Sequence, residues 1–284
     1  SSSNDEDIYI DMNGNDLGSL TVNLSGHEVY LQTSTNALGA LTVTAGTLDL
    51  STYTSIVTGA TDIDGTLTMS TGTYDANGAF DATGGNVTFT GAGQLNIAGA
   101  VTDLGTFTES TGKVVLDGSS SQTLPDSETF YNLQVSNSAG VDLASSVDIS
   151  VTGTLTLGNG DITVEAANSE TLTVISSTAG GSNSGHIVGP VKYSSSSQAV
   201  CQLDVGSDTE WNPVKIEAVS STATVYTATW KIGGPAAGGT NGIDWSTYPE
   251  GQNIHSASGL THVNNDYYIA VSYTHLTLPT TPYV

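Results

Sequence analysis

The chain has 284 residues, 33 of them glycine, and carries four lysines, no arginine and 28 acids, a formal charge of −24 at pH 7. That balance all but excludes a nucleic-acid binder, which needs basic groups against phosphate, and argues against anionic membranes as partners. A single cysteine, Cys201, allows no internal disulfide, and no apolar run approaches the ~18 residues of a membrane span, so membrane insertion is not expected.

Residues 1 to 35 read as first coils or a cap. Ile8–Ile10, Leu20–Leu24 and Val29–Leu31 alternate apolar and polar residues, the strand period of two. Ser1–Asp7 is polar. The chain opens on Ser1 without methionine or signal peptide, so the expectation is a fragment or processed form whose native chain begins earlier.

From Gly39 a short sentence recurs: glycine, a small residue, an apolar residue, threonine, then a second glycine. It occupies Gly39–Gly46, Gly65–Gly72, Gly85–Gly93, Gly105–Gly112 and Gly153–Gly160. The first glycines recur at roughly 20 to 26 residues, once at double that interval, and such a period is the mark of a solenoid. Leu41, Leu67, Val87, Phe107 and Leu155 are expected inward. Thr42, Thr68, Thr88, Thr108 and Thr156 are expected as one outward column, with Thr44 and Thr90 starting a second rank. No proline precedes Pro125, as stacked central strands require. Glu109 occupies an apolar slot. It reads as a corner residue reaching solvent towards Lys113, or as a buried carboxylate with a raised pKa.

Residues 119 to 165 carry Ser121–Pro125, Thr129–Val135, Ser138–Leu143 and Val147–Val151, leading into Gly153–Leu157. With His186–Lys192 and Val205–Ile216, this block resembles the repeats of large secreted surface proteins of gliding gram-negative bacteria, cargo of type nine secretion. The likeness covers about 119 to 232. Leu203–Gly206 and Asn212-Pro213 depart from that family's aromatic-Pro-Val-Gly pattern. The resemblance implies an extracellular or cell-surface location and a scaffold role, and carries no catalytic residue across.

Residues 166 to 270 hold all three tryptophans and three of the four lysines. Strands are expected at Leu172–Ile175, Ala199–Val205, Val214–Ala218, Thr224–Ile232 and from Tyr267, as a small β-sandwich-like module, with Gly233–Gly239 as a loop. Val271–Thr280 resembles a translated sequencing adaptor, which implies a metagenomic read that ended inside the gene. The expected domains are a parallel β-solenoid over 1–165, a last coil and transition over 166–190, an incomplete sandwich-like module over 191–270 and a non-native tail over 271–284.

Chemistry is sparse. Lyases built on β-solenoids need a basic residue, and Lys113 is the only one in the repeats. Hydrolases need two carboxylates flanking a bond. Asp62 and Asp64 share a strand face about 7 Å apart, with Asp49 and Asp103 expected on neighbouring coils; solvated outward acids are the plainer explanation. Asp62, Asp64, Asn159 and Asp161 offer oxygen ligands near turns, so structural calcium is the one cofactor considered. His255 and His262 lie close in sequence in a loop without cysteine, which fits solvated histidines better than zinc. The Thr-x-Thr ranks resemble those of ice-binding proteins, although threonine is also an ordinary solvent-face strand residue.

The sequence therefore predicts an all-β chain, a right-handed parallel β-helix followed by a truncated sandwich-like module, with a pair of β-sandwiches as the competing fold. The expected function is a non-catalytic secreted or cell-surface structural or adhesive segment of a larger protein. Extracellular polysaccharide or cell-surface components are the expected partners. The alternatives are a carbohydrate-active β-helix enzyme and an ice-binding solenoid.

Overall fold

In the computed structural model the described residues are 7–13, 15–35, 37–195, 200–217, 224–232 and 267–273. Alternation sets the strands, and glycines and small polar residues set the corners. β1 (Ile8–Ile10) comes first. β2 (Leu17–Leu31) and β3 (Leu38–Asp49) each run through two corners, from the end of the first face across the second to the third. The next turns are cut into three strands each: β4 (Thr54–Val57), β5 (Thr61–Ile63), β6 (Thr66–Met69); β7 (Thr73–Ala76), β8 (Phe80–Asp81), β9 (Asn86–Phe89); β10 (Gln94–Ile97), β11 (Val101–Asp103), β12 (Thr106–Thr108). The same order continues in β13 (Lys113–Leu116), β14 (Gln122–Leu124), β15 (Glu128–Phe130); β16 (Asn132–Val135), β17 (Val141–Leu143), β18 (Asp148–Val151); β19 (Leu155–Leu157), β20 (Ile162–Thr163), β21 (Thr171–Val174). The last turns hold β22 (Ile187–Val188), β23 (Pro190–Ser195), β24 (Val200–Leu203) and β25 (Val205–Gly206), followed by β26 (Val214–Glu217), β27 (Thr224–Ile232) and β28 (Tyr267–Tyr273).

Strands stack in parallel on those of the turn before, making a β-solenoid of about 10 turns. Three faces result. The first runs β4–β7–β10–β13–β16–β19 without a break. The second carries β5–β8–β11 and then β14–β17–β20–β22–β25. The third carries β6–β9–β12 and then β15–β18–β21–β23. Turn length is not constant. Thr54 pairs with Thr73 and Gln94 with Lys113, whereas Ile162 pairs with Ile187, so the turn after β20 is longer than the early ones. Parallel pairing continues to Gly206, beyond residue 165 where the sequence reading ends the regular solenoid. Antiparallel pairing enters at the far end, where β27 joins β23, β28 joins β27 and β26 joins β24. β28 contains Val271–Tyr273, the start of the adaptor-like stretch; residues 274–284 and the loop at 233–239 lie outside the described residues.

The interior is mainly apolar, with a few buried polar residues such as Gln122, Asn137, His186 and Asp204. Leu41, Leu67 and Val87 are fully buried and Leu155 nearly so, as the alternation predicts. Phe107 is only half-buried, packed edge-on between Phe89 and Phe130 with ring centroids 5.8 and 5.4 Å away. Its neighbourhood is a fault in the rod. Among the described residues no ladder joins β11 to β14 or β12 to β15, so the second and third faces break at one level while the first runs on. Pro125, which has no N–H to give, falls in this break. A buried amide bridges it: Gln122 Nε2 donates to the carbonyls of Ile97 and Gly99, both at 2.8 Å, and Gln122 Oε1 accepts from the Gly118 N–H at 3.1 Å. Asn137 Nδ2 donates to the same Oε1 at 2.9 Å.

Corners explain the glycines. A Cβ on Gly39, Gly59, Gly78 or Gly99 would run into the carbonyl of the glycine one turn earlier. These form one column with Gly18, between the first and second faces. Gly46, Gly65, Gly85 and Gly105 form another between the second and third. The recurring sentence therefore starts at different corners. Gly39 opens a second-face strand, Gly65, Gly85 and Gly105 open third-face strands, and Gly153 opens a first-face strand. Of the five opening glycines, only Gly65, Gly85 and Gly105 hold equivalent positions in successive turns.

Candidate functional site

The register corrects the threonine column. Thr68, Thr88 and Thr108 do stack on the third face. Thr42 pairs instead with Thr21 and Asp62 on the second face, and Thr156 with Gln134 on the first. The reason is that one turn holds several turn-and-strand units of like sequence. The rank beside Thr68–Thr108 is Thr66, Asn86 and Thr106, not the residues two positions later. All five original threonines are half-buried or exposed, as outward residues are.

The second face carries the acids. Asp62 pairs with Asp81, and Asp81 with Asp103 across a bulge. Asp49 lies on the coil before that of Asp62 but on the third face, opposite Thr68, so it does not join the Asp62–Asp81–Asp103 stack. Burial, then the charges of Asp64 and Asp81, push the Asp62 carboxyl above its usual range. The four calcium candidates split into two pairs. Asp62 and Asp64 belong to one turn, and Asn159 and Asp161 to the turn five first-face ladder steps further on, about 24 Å away at ~4.8 Å per step. Among the described residues no three of His, Cys, Asp and Glu are placed to hold a metal ion together. His255 and His262 lie outside the described residues.

Two constellations stand out. The first lies at the fault. Burial, then the charges of Asp126 and Asp103, push the Glu128 carboxyl up to about 7, with a smaller contribution from Glu109. Burial and Asp103 also raise Asp126, whose Oδ2 is buried without a hydrogen-bond partner among the described residues. Glu109 is half-buried and forms no ion pair with Lys113, whose Nζ donates to Gln134 Oε1 at 3.3 Å.

The second is a recess of about 400 Å³ on the second face, lined in part by Asp142, Asn159, Asp161, Asn183 and Ser184. It exists because one turn is long. The extra residues before β22 fold back on themselves, with Ser182 and Gly185 exchanging backbone hydrogen bonds at 2.9 and 3.1 Å. This projecting piece supplies Asn183 and Ser184 as a wall. Gly160 lets the chain beneath pass close, its N–H donating to the Ser184 carbonyl at 2.5 Å with φ at +93°. Behind the recess His186 is fully buried. Its backbone N–H donates to Asp161 Oδ1 at 3.0 Å, and its Nδ1 lies 3.2 Å from the same oxygen. Its Nε2 faces the Ser207 carbonyl. Asn159 and Asp161 were legible in the sequence as oxygen ligands beside a turn. Asp142, Asn183 and Ser184 were not, since nothing local in sequence marks them as neighbours of Asp161.

These features define an all-β parallel solenoid with polar outer faces and one polar recess built by an insertion. Compared with known protein families, curated proteins and solved structures, the chain matches none of them.

Proposed function

We propose that the chain is a non-catalytic structural or adhesive segment of a larger secreted or cell-surface protein. The carrying observation is the first-face ladder, in unbroken register from Thr54 to Leu157, backed by a mainly apolar interior. A rod of this kind holds attached modules at a distance and offers long polar faces for weak, repeated contacts, where repetition raises avidity. The charge of −24 favours solubility and disfavours side-by-side association of rods. Among the described residues no helix is long and apolar enough to cross a membrane. The partners this reading favours are extracellular polysaccharides and cell-surface components.

A second reading, a carbohydrate hydrolase, draws on Glu128. A carboxyl raised to about 7 beside other carboxylates is the arrangement that separates a general acid from a base. One experiment separates the two. The purified chain is incubated with a polysaccharide panel, with and without calcium, and assayed for binding, new reducing ends and unsaturated products. Binding without cleavage is expected. Cleavage abolished by Glu128→Gln contradicts the structural reading and selects the hydrolase.

A further inference from the structure

We propose that the recess walled by Asp142, Asn159, Asp161 and Asn183 binds one sugar ring of a neutral polysaccharide; this deepens the adhesive reading above and rests on it. Asp161, Asp142 and Asn183 are held in place there but not used up. Asp161 is fixed through Oδ1 by the buried His186, and its Oδ2 has no partner among the described residues. Asp142 accepts from Ser121 Oγ at 3.1 Å through Oδ2, which leaves its Oδ1 open. Asn183 Oδ1 is taken by the Trp211 N–H at 2.9 Å, so the group that remains is its NH₂, two donors. The Asn159 amide has no partner among the described residues and is exposed.

The recess thus presents carboxylate acceptors and amide donors side by side. Adjacent hydroxyls of a sugar ring both donate and accept, which matches that mixture; hydroxyl-to-carboxylate hydrogen bonds are charge-assisted and the stronger kind. Two carboxylates repel uronates and sulfated sugars, so the fitting ligand is neutral. A volume of about 400 Å³ is at the small end of the ligand-site range, suited to one ring of a longer chain. The opening lies on an outer face of the rod, where the rest of a polymer can pass on either side. A divalent cation would meet only two carboxylates here.

The test titrates the whole chain with neutral hexasaccharides of glucose, xylose and mannose and with an oligogalacturonate, each in chelator and in calcium, read by calorimetry and NMR shifts. Wild type is compared with Asn159→Ala, Asp142→Asn and the distant control Thr68→Ala, after circular dichroism has shown each to be folded. Asn159 and Asp142 are exposed, so these variants spare the core. The expected result is a neutral hexasaccharide bound in chelator, with affinity about tenfold lower in Asp142→Asn, the worth of one charge-assisted hydrogen bond, about threefold lower in Asn159→Ala, which loses a neutral one, and unchanged in Thr68→Ala. Saccharide binding that survives both recess variants overturns the site but leaves the adhesive rod standing. Binding that needs calcium, or favours the galacturonate, overturns the neutral-sugar assignment. No saccharide bound in any arm overturns the proposal, and adhesion of the chain to intact cells then judges the broader reading separately.

Discussion

Leu67 and Thr68 are adjacent, yet one is fully buried and the other half-exposed on the third face. A charge at the first has no partner in an apolar interior and costs several kcal/mol, and the turns above and below share the damage. Leu67→Asp is therefore expected to unfold several turns, while Thr68→Ala stays within about ±0.5 kcal/mol. Thermal unfolding followed by circular dichroism checks both; equal midpoints contradict the facing. A subtler residue is Gly78. A methyl group there meets the Gly59 carbonyl, which is backbone and cannot rotate away. Gly78→Ala is expected to cost about 1–3 kcal/mol by overpacking. Gly18→Ala, where nothing lies within 4 Å, is expected to cost little; urea midpoints of the pair test whether close approach sets the corners.

At the scale of elements the fault between β11–β12 and β14–β15 is the informative place. Gln122 spans it with hydrogen bonds to backbone, so Gln122→Ala leaves two carbonyls and an N–H without that partner. A loss of about 2–3 kcal/mol in urea unfolding is expected, with the largest gain in hydrogen exchange at β14 and β15. Glu128 gives the fault a pH dependence. An acid with a raised folded pKa binds its proton more tightly in the fold than in the unfolded chain, so its cost is absent at low pH. That cost grows as pH rises from the unfolded value near 4.5 to about 7, and is complete above it. Asp62 and Asp126 shift in the same direction. The chain is expected to be more stable at pH 5 than at pH 8, and Glu128→Gln to lose less on the same change; urea midpoints at the two pH values decide it.

The same elements show what the sequence could carry. Alternation sufficed for the inward Leu41, Leu67, Val87 and Leu155, because a strand's period is local. Which outward residues stack was not local. Thr42 and Thr68 sit in near-identical sentences but on different faces, since the solenoid uses that sentence at more than one corner. The Gly18–Gly39–Gly59–Gly78–Gly99 spacing carries the true register, and the threonine motif masks it. The recess needed more still. It depends on a long turn folding back to set Asn183 near Asn159, and no strand pattern encodes that.

Over the whole molecule, about 10 turns at ~4.8 Å each make a rod of roughly 50 Å, whose first face keeps one register from Thr54 to Leu157. That stacking is the central claim, and the competing fold, a pair of sandwiches, lacks it. The first face tests it most directly. Ile56, Asp75, Asn96, Val115, Gln134 and Thr156 occupy successive rungs of one ladder. Spin labels placed at Ile56 and Gln134, and at Ile56 and Thr156, in a background with Cys201 replaced by serine, are measured by pulsed electron resonance. Backbone separations of about 19 and 24 Å are predicted, differing by one rung; separations unrelated to the number of turns, or a shorter distance to Thr156 than to Gln134, contradict the solenoid.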